Sequence, residues 1–155
     1  MTVELRVVDG GHPDVAAAMQ AYFDELDARF PKGFDPGDAI ELAMRDFNMP
    51  NGMFILAYDD DLVAGCGGLS LIDDTTAEIK RMWVAPTSRR SGLARRLLDR
   101  LEAEAAARGR SIVVLDTNGT LTSAIALYES CGYTPIDRYN DNPYAEHWFQ
   151  KHLTD

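Results

Sequence analysis

The stretch from Glu78 to Leu98 reads Glu-Ile-Lys-Arg-Met-Trp-Val-Ala-Pro-Thr-Ser-Arg-Arg-Ser-Gly-Leu-Ala-Arg-Arg-Leu-Leu. A strand-like run, Ala77 to Val84, passes into a short basic loop, and a helical pattern begins at Gly92. A helix that starts this way leaves its first backbone N–H groups without intrahelical partners, with the positive end of the helix dipole behind them. That is an anion site. Gly92 admits a phosphate close to the backbone, Ala94 keeps the first turn clear, and Arg89 and Arg90 add charge, so the site suits a pyrophosphate. On these residues alone, a solvated arginine-rich turn is the competing structural reading.

The charge distribution bears on that choice. The net charge is −10, which speaks against a nucleic-acid binder, because such binding rests on clustered Lys and Arg. From Met1 to Asp61 there are 13 acidic and 4 basic residues, whereas Lys80 to Arg100 holds 7 basic residues against Asp99 alone. Something anionic is expected to dock at the basic segment.

The elements that must position this loop follow from periodicity and punctuation. The chain has 155 residues, 46% hydrophobic and 26% charged, as expected of one domain over 1–155 with a substantial core. Glu4 to Asp9 reads as a strand and Pro13 to Phe30 as a helix, followed by a short helix from an Asp38 N-cap to Phe47. Met53 to Tyr58, Leu62 to Ile72 and Ala77 to Val84 form an antiparallel meander. Gly65, Gly67 and Gly68 in its middle strand point to a bulge, a close backbone approach, or packing against a large neighbour.

Gly92 to Arg108 is a strong helix ended by Gly109, Ser111 to Asp116 a buried strand, and Leu121 to Cys131 a helix stopped by Gly132. Tyr133 to Asp137 and Tyr144 to Leu153 close the chain as strands. The expected order is β-α-α-β-β-β-α-β-α-β-β, an α/β fold with a mixed, mostly antiparallel sheet flanked by helices.

Several chemistries find no support. The chain contains neither a G-x-x-x-x-G-K-[ST] loop nor a G-x-G-x-x-G fingerprint, and no serine lies in a G-x-S-x-G context. His12, His147 and His152 show no i, i+4 pairing, so no metal is expected. Cys66 and Cys131 read as buried thiols. No apolar run approaches membrane-spanning length and no secretory pattern opens the chain, so a cytoplasmic protein without membrane contact is expected.

Arg89-Arg90-Ser91-Gly92-Leu93-Ala94 resembles the R/Q-x-x-G-x-G/A motif of the GNAT (GCN5-related N-acetyltransferase) superfamily, at the place where that family has it, after the fourth strand. Downstream, Ala124-Ile125-Ala126-Leu127-Tyr128-Glu129-Ser130-Cys131-Gly132-Tyr133 is similar to the family's later helix, A-x-x-L-Y-x-x-x-G-F/Y. The resemblance runs from about Met53 to the C-terminus.

It implies acetyl-CoA as co-substrate and an amine as acceptor. It also implies that the backbone of Met82 holds the thioester carbonyl and that of Val84 the pantetheine arm, with Trp83 between them. Arg89, Arg90, Ser91, Gly92, Leu93, Ala94 and Arg95 wrap the pyrophosphate, and Tyr128 acts as general acid toward the departing thiolate. A core tyrosine is the alternative for Tyr128. Glu78 stands four residues before Met82, the spacing at which some histone-acetylating members carry a general base. On a regular strand 78, 80 and 82 would face the same way. The alternative for Glu78 is an ion pair with Lys80 or Arg81. The family's asparagine before the later helix is absent, its position being Leu121, and Asn118 is read as shaping the turn with Gly119.

Direct acetyl transfer to a small-molecule or peptide amine in a ternary complex is the expected activity. A non-catalytic acetyl-CoA sensor and a protein lysine or N-terminal acetyltransferase are the alternatives, and a homodimer is left open. Phe34, Phe47, Tyr139, Tyr144 and Trp148 are candidates to line the acceptor pocket.

Overall fold

The computed structural model describes residues 2–153. Strands β1 (Val3–Val8), β2 (Gly52–Asp59), β3 (Leu62–Leu71) and β4 (Thr76–Val84) pair antiparallel in succession. Strand β5 (Ile112–Thr117) joins β4 in parallel, and β7 (His147–His152) lies between β5 and β6 (Thr134–Pro135), so the sheet order is β1-β2-β3-β4-β5-β7-β6. The helices are α1 (Pro13–Arg29), α2 (Ala39–Asp46), α3 (Leu93–Ala107) and α4 (Thr122–Ser130). Their order along the chain is the one expected from the sequence.

Strand β2 shows why the sheet is buried on both faces. Met53, Ile55 and Ala57 join Leu93, Leu97, Leu98 and Leu101 of α3 in one core. Phe54, Leu56 and Tyr58 alternate with them and join Val15, Met19, Phe23 and Leu26 of α1 in a second. Helix α1 starts cleanly because Pro13 occupies its first turn and His12 Nδ1 accepts from the Asp14 N–H at 3.1 Å. Asp38 precedes α2 as expected, but its side chain makes no capping hydrogen bond.

The glycines of β3 each answer to a neighbour. A Cβ on Gly68 would lie 2.5 Å from the buried Phe47 ring, and one on Gly67 would lie 2.8 Å from a Leu101 methyl. Gly67 also faces a bulge. Cys66 pairs with Trp83 and Gly68 with Lys80, so Arg81 and Met82 together stand opposite Gly67, and Arg81 adopts φ 59°.

The extra residue reverses the alternation of β4. Ala77, Ile79, Met82 and Val84 pack toward α3, while Arg81 lies over the Phe23 ring of α1 and Trp83 joins the α1 core. Glu78 and Met82 therefore face opposite sides of the sheet. The regular-strand reading of 78, 80 and 82 is corrected on this point.

The C-terminal strands are shorter than the sequence suggests. Pro135 supplies no N–H to extend β6, and Tyr133 turns inward to donate its hydroxyl to Glu102 at 2.8 Å. Ahead of β7, Asn142 Oδ1 accepts from the Tyr144 N–H at 3.0 Å and Asn140 Oδ1 from the Asn142 N–H at 3.3 Å. These side-chain turns replace a strand ladder until His147.

The two glycine contacts predict different costs. Gly68→Ala drives a Cβ into a ring that Phe54 holds edge-on, at a centroid distance of 5.3 Å. It is expected to lower unfolding stability in urea by about 1–3 kcal/mol. Gly67→Ala meets only the end of a leucine side chain and is expected to cost less. Equal midpoint shifts would show that Phe47 yields freely.

Candidate active site

Strand β4 pairs with β5 only from Thr76 to Glu78, whose last partner is Val114. Beyond that point the β5-facing edge of β4 has no strand against it, and the two strands part to form one side of a cavity of about 940 Å³. Met82, Trp83 and Val84 line it, so the backbone of the open edge is available to a ligand.

The loop after β4 is built for an anion. A single 3-10 turn, Pro86–Ser88, leads to Arg90 at φ 63° and Gly92 at φ 81°, and Ser91 Oγ donates to the Ser88 carbonyl. Gly92 offers no side chain to cap α3. The first backbone bond of that helix runs from the Arg96 N–H to the Gly92 carbonyl at 3.1 Å. Among the described residues the N–H groups of Leu93, Ala94 and Arg95 thus have no acceptor, and all three residues line the cavity. A Cβ at Gly92 would meet nothing within 4 Å, so the backbone there stands open to a ligand. A pyrophosphate fits these donors, with Arg90 and Arg95 beside them.

Arg89 is placed differently from the other loop arginines. Its Nε donates to the Val84 carbonyl at 3.1 Å, and its guanidinium pairs with Glu25 of α1 at 2.5 Å. Glu25 also accepts from Trp83 Nε1 at 3.2 Å and pairs with Arg29 at 3.3 Å. Burial works to raise the Glu25 carboxyl, but the hydrogen bonds from Trp83 and Arg89 outweigh it and hold the group below its ordinary range. Arg89 thereby anchors the loop to α1 as well as contributing charge.

Tyr128 of α4 lies across the cavity from β4, almost fully buried. Its ring packs edge-on to Tyr133 at 5.8 Å. Burial, and then the neighbouring Tyr22 and Asp116, push its hydroxyl above the ordinary tyrosine value, so it keeps its proton through the neutral range.

Glu78 lies outside the cavity lining. It is buried, pairs with Lys80 at 3.4 Å, and accepts from the Tyr139 hydroxyl at 2.6 Å. Its link to the cavity is Asn140, whose Nδ2 donates to Glu78 at 3.4 Å and to Asp116 at 2.6 Å. Asp116 also accepts from Asn142 Nδ2 at 3.1 Å. Asp116, Asn140 and Asn142 all line the cavity; the sequence assigns substrate choice in part to the segment Asn140 to His147 but singles out none of the three. They lie on a strand end and in a segment without periodicity, so the Asn-rich composition of that segment was their one available signal.

Of the aromatic candidates, Phe34 and Tyr144 line the cavity, with ring centroids 4.6 Å apart. The Tyr144 hydroxyl accepts from the Asp35 N–H at 2.9 Å, and its carbonyl accepts from Asn118 Nδ2 at 2.7 Å. Phe47 belongs to the core, and Trp148 donates to Asn140 Oδ1 at 3.0 Å from outside the lining. Asn118 Oδ1 accepts from the Thr120 N–H at 2.9 Å, the turn-shaping role expected of it. Cys66 is buried, and burial pushes its thiol up to about 12, which suits a packing role, whereas Cys131 is half-buried, not buried as expected. Among the described residues no cluster of His, Cys, Asp and Glu could hold a metal, and no helix is long and apolar enough to cross a membrane.

Residues 19–133 match the family model described as the Acetyltransferase (GNAT) family. This chain therefore belongs to the GNAT acetyltransferase family, as an acetyl-CoA-dependent acyltransferase. An "IAA acetyltransferase" of Azospirillum brasilense is 34% identical over 131 residues, 81% of this chain and 85% of that protein. A GNAT-family acetyltransferase from Staphylococcus aureus Mu50 superposes with a TM-score of 0.83 at 16% identity, over 97% of this chain and all (100%) of that one. A GNAT acetyltransferase from Elizabethkingia anophelis, solved with acetyl-CoA bound, superposes with a TM-score of 0.71 at 19% identity, covering 97% and 98%. At these identities the two structures speak for the fold.

The open helix start makes a direct prediction. Gly92→Glu sets a side chain and a negative charge at the φ 81° position facing the free N–H groups. Titration calorimetry is expected to show no binding of CoA or acetyl-CoA to a folded Gly92→Glu protein. Unchanged affinity would remove the loop from the coenzyme site.

Proposed function

We propose that this protein transfers an acetyl group from acetyl-CoA directly to the primary amine of a small molecule or peptide within a ternary complex. The observation that carries this reading is the adjacency of three parts around one cavity. These are the uncapped N-terminus of α3, the open edge of β4, and the protonated hydroxyl of Tyr128. A protein with these parts can hold a pyrophosphate, polarise a carbonyl, and supply a proton to a leaving group.

The first N–H groups of α3, with Arg90 and Arg95, take the pyrophosphate of the coenzyme. The Val84 backbone holds the pantetheine arm, and the Met82 N–H donates to the thioester carbonyl oxygen, where negative charge grows during attack. The amine nitrogen bonds to the carbonyl carbon, the carbon–sulfur bond breaks, and an amide and CoA result. Tyr128 donates its proton to the departing sulfur, and the second proton that the nitrogen sheds as the amide forms restores the hydroxyl.

Three carboxylates line the cavity; Glu25 is held by Arg29 and Arg89 and Asp35 accepts from the Gly37 N–H in its own turn, so in this reading Asp116 draws the proton from the acceptor ammonium, directly or through one water. Glu78 stands behind it through Asn140, as a positioning residue. No covalent intermediate on the protein is required, in keeping with a buried Cys66 whose thiol burial pushes up.

Tyr128→Phe separates a catalytic hydroxyl from a core ring. The variant is expected to keep acetyl-CoA affinity by calorimetry and to lose at least about tenfold in turnover, measured by thiol release. Because its pKa is raised, wild-type turnover is expected to show no fall from loss of this proton up to about pH 10, the ordinary tyrosine value. Full activity in a folded Tyr128→Phe protein would leave the residue as core.

The carboxylates are told apart by pH profiles. Asp116→Asn is expected to flatten the alkaline rise in kcat/KM. Glu78→Gln is expected to lower the rate by less than about tenfold and to keep the profile's shape. The reverse order would make Glu78 the base.

A further inference from the structure

Arg81 is the cation of the cavity that the coenzyme reading does not use. The other basic residues there are committed. Arg29 and Arg89 pair with Glu25, Lys80 pairs with Glu78, and Arg90 and Arg95 stand at the loop and the helix start. The Arg81 side chain is sent to the α1 face by the bulge, where its guanidinium lies over the Phe23 ring at 5.5 Å from the centroid.

Among the described residues that guanidinium makes no ion pair and no hydrogen bond, and its Nε is buried without a partner. A buried unpaired donor on a cation is costly, and a guanidinium stays protonated in a protein, so the energetic deficit calls for an anion. Arg81 lines the cavity beside Phe23, so the donors that the ring does not cover are within reach of a ligand there.

Two further observations place this group on the acceptor side. Arg81 directly precedes Met82, whose backbone adjoins the proposed thioester, so the two Cα atoms are about 3.8 Å apart. Arg81 and Asp116 also act on the same hydroxyl, that of the half-buried Tyr22. Burial pushes Tyr22 up to about 12, Arg81 opposes that rise, and Asp116 adds to it. Arg81, Asp116, Tyr22 and Phe23 all line the one cavity, which therefore offers both a cation and a carboxylate outside the coenzyme loop.

We infer that the acceptor is a small amine bearing its own carboxylate, which Arg81 receives as a forked ion pair while the amine end faces Asp116 and the thioester. Arg81 is on this view a specificity-determining residue. The inference rests on the acetyl-transfer reading and narrows it from amines in general to amino acids and similar zwitterions.

The test compares each of a panel of amino acids with its carboxamide and with the amine lacking the carboxyl group, in wild type and in Arg81→Gln. Wild type is expected to prefer the carboxylate member of each set. Arg81→Gln is expected to lose about 100-fold in kcat/KM for that member, chiefly through KM, with little change for the carboxamide. Arg81→Lys, which keeps the charge but not the fork, is expected to recover part of the loss. Wild type acting equally on all three members, or an equal loss across them in Arg81→Gln, would overturn the inference.

The wild-type comparison stands even if the variant does not fold. If acetyl-CoA binds but no amine of any kind is acetylated, the transfer reading fails. Calorimetry of amino acids into the wild-type protein saturated with CoA then decides the Arg81 site by itself. Binding lost in folded Arg81→Gln supports it, and absence of binding overturns it.

Discussion

The structure depends on where β4 stops pairing with β5. Their ladder ends at Glu78 and Val114, and every later residue of β4 presents one edge of backbone to a cavity instead of to a strand. In a closed sheet those N–H and C=O groups would be spent on a neighbour. The bulge at Arg81 and Met82 uses the same length of strand to exchange its faces. It keeps Met82 and Val84 in the α3 core while moving Arg81 and Trp83 to the α1 side. Cys66 steadies this irregular point by donating to the Arg81 carbonyl at 3.2 Å.

Electrostatic order follows from that geometry. A loop carrying Arg89 and Arg90 beside a helix N-terminus is self-repelling, and Glu25 relieves part of the repulsion by holding Arg89 to α1. The same carboxylate accepts from Trp83, so one acidic residue ties the strand and the loop to a single helix. The positive charge left uncompensated at the α3 end suits a pyrophosphate, and that left at Arg81 lies deeper, among aromatic rings. The protein is strongly acidic overall, so this positive interior is a local arrangement and not a reflection of net charge.

How much of this could be read from the sequence differs by element. The strand, basic loop and helix start around Gly92 were legible because their chemistry is contained in a few consecutive residues. Tyr128 was legible because helical spacing places it on the inner stripe of α4. The exchange of faces in β4 was not, since it is set by Gly67 and Cys66 on the neighbouring strand, and a strand read alone is assumed to alternate. Asp116 was seen as the end of a buried strand, but its partners Asn140 and Asn142 lie some 25 residues on, in a segment held by Asx-type turns. The same turns explain why the last strand begins at His147, three residues later than the Tyr144 start expected from the sequence. Arg81 was visible only as one charge of a basic cluster, because nothing in its local sequence tells which side of the sheet it occupies.

Tyr144 joins two stretches of chain that are remote in sequence. Its ring meets Phe34, its hydroxyl receives the Asp35 N–H, and its carbonyl receives Asn118. The rim of the cavity is thus a span with footings in the α1–α2 connection and in the segment before β7, which the β5–α4 turn holds through Asn118. A lineage that reshapes one footing alone leaves a ring and a backbone donor stranded on the other. New substrate preferences in this architecture should therefore be inherited as matched changes in both segments, and grafting a single loop from a relative transplants half of a pocket.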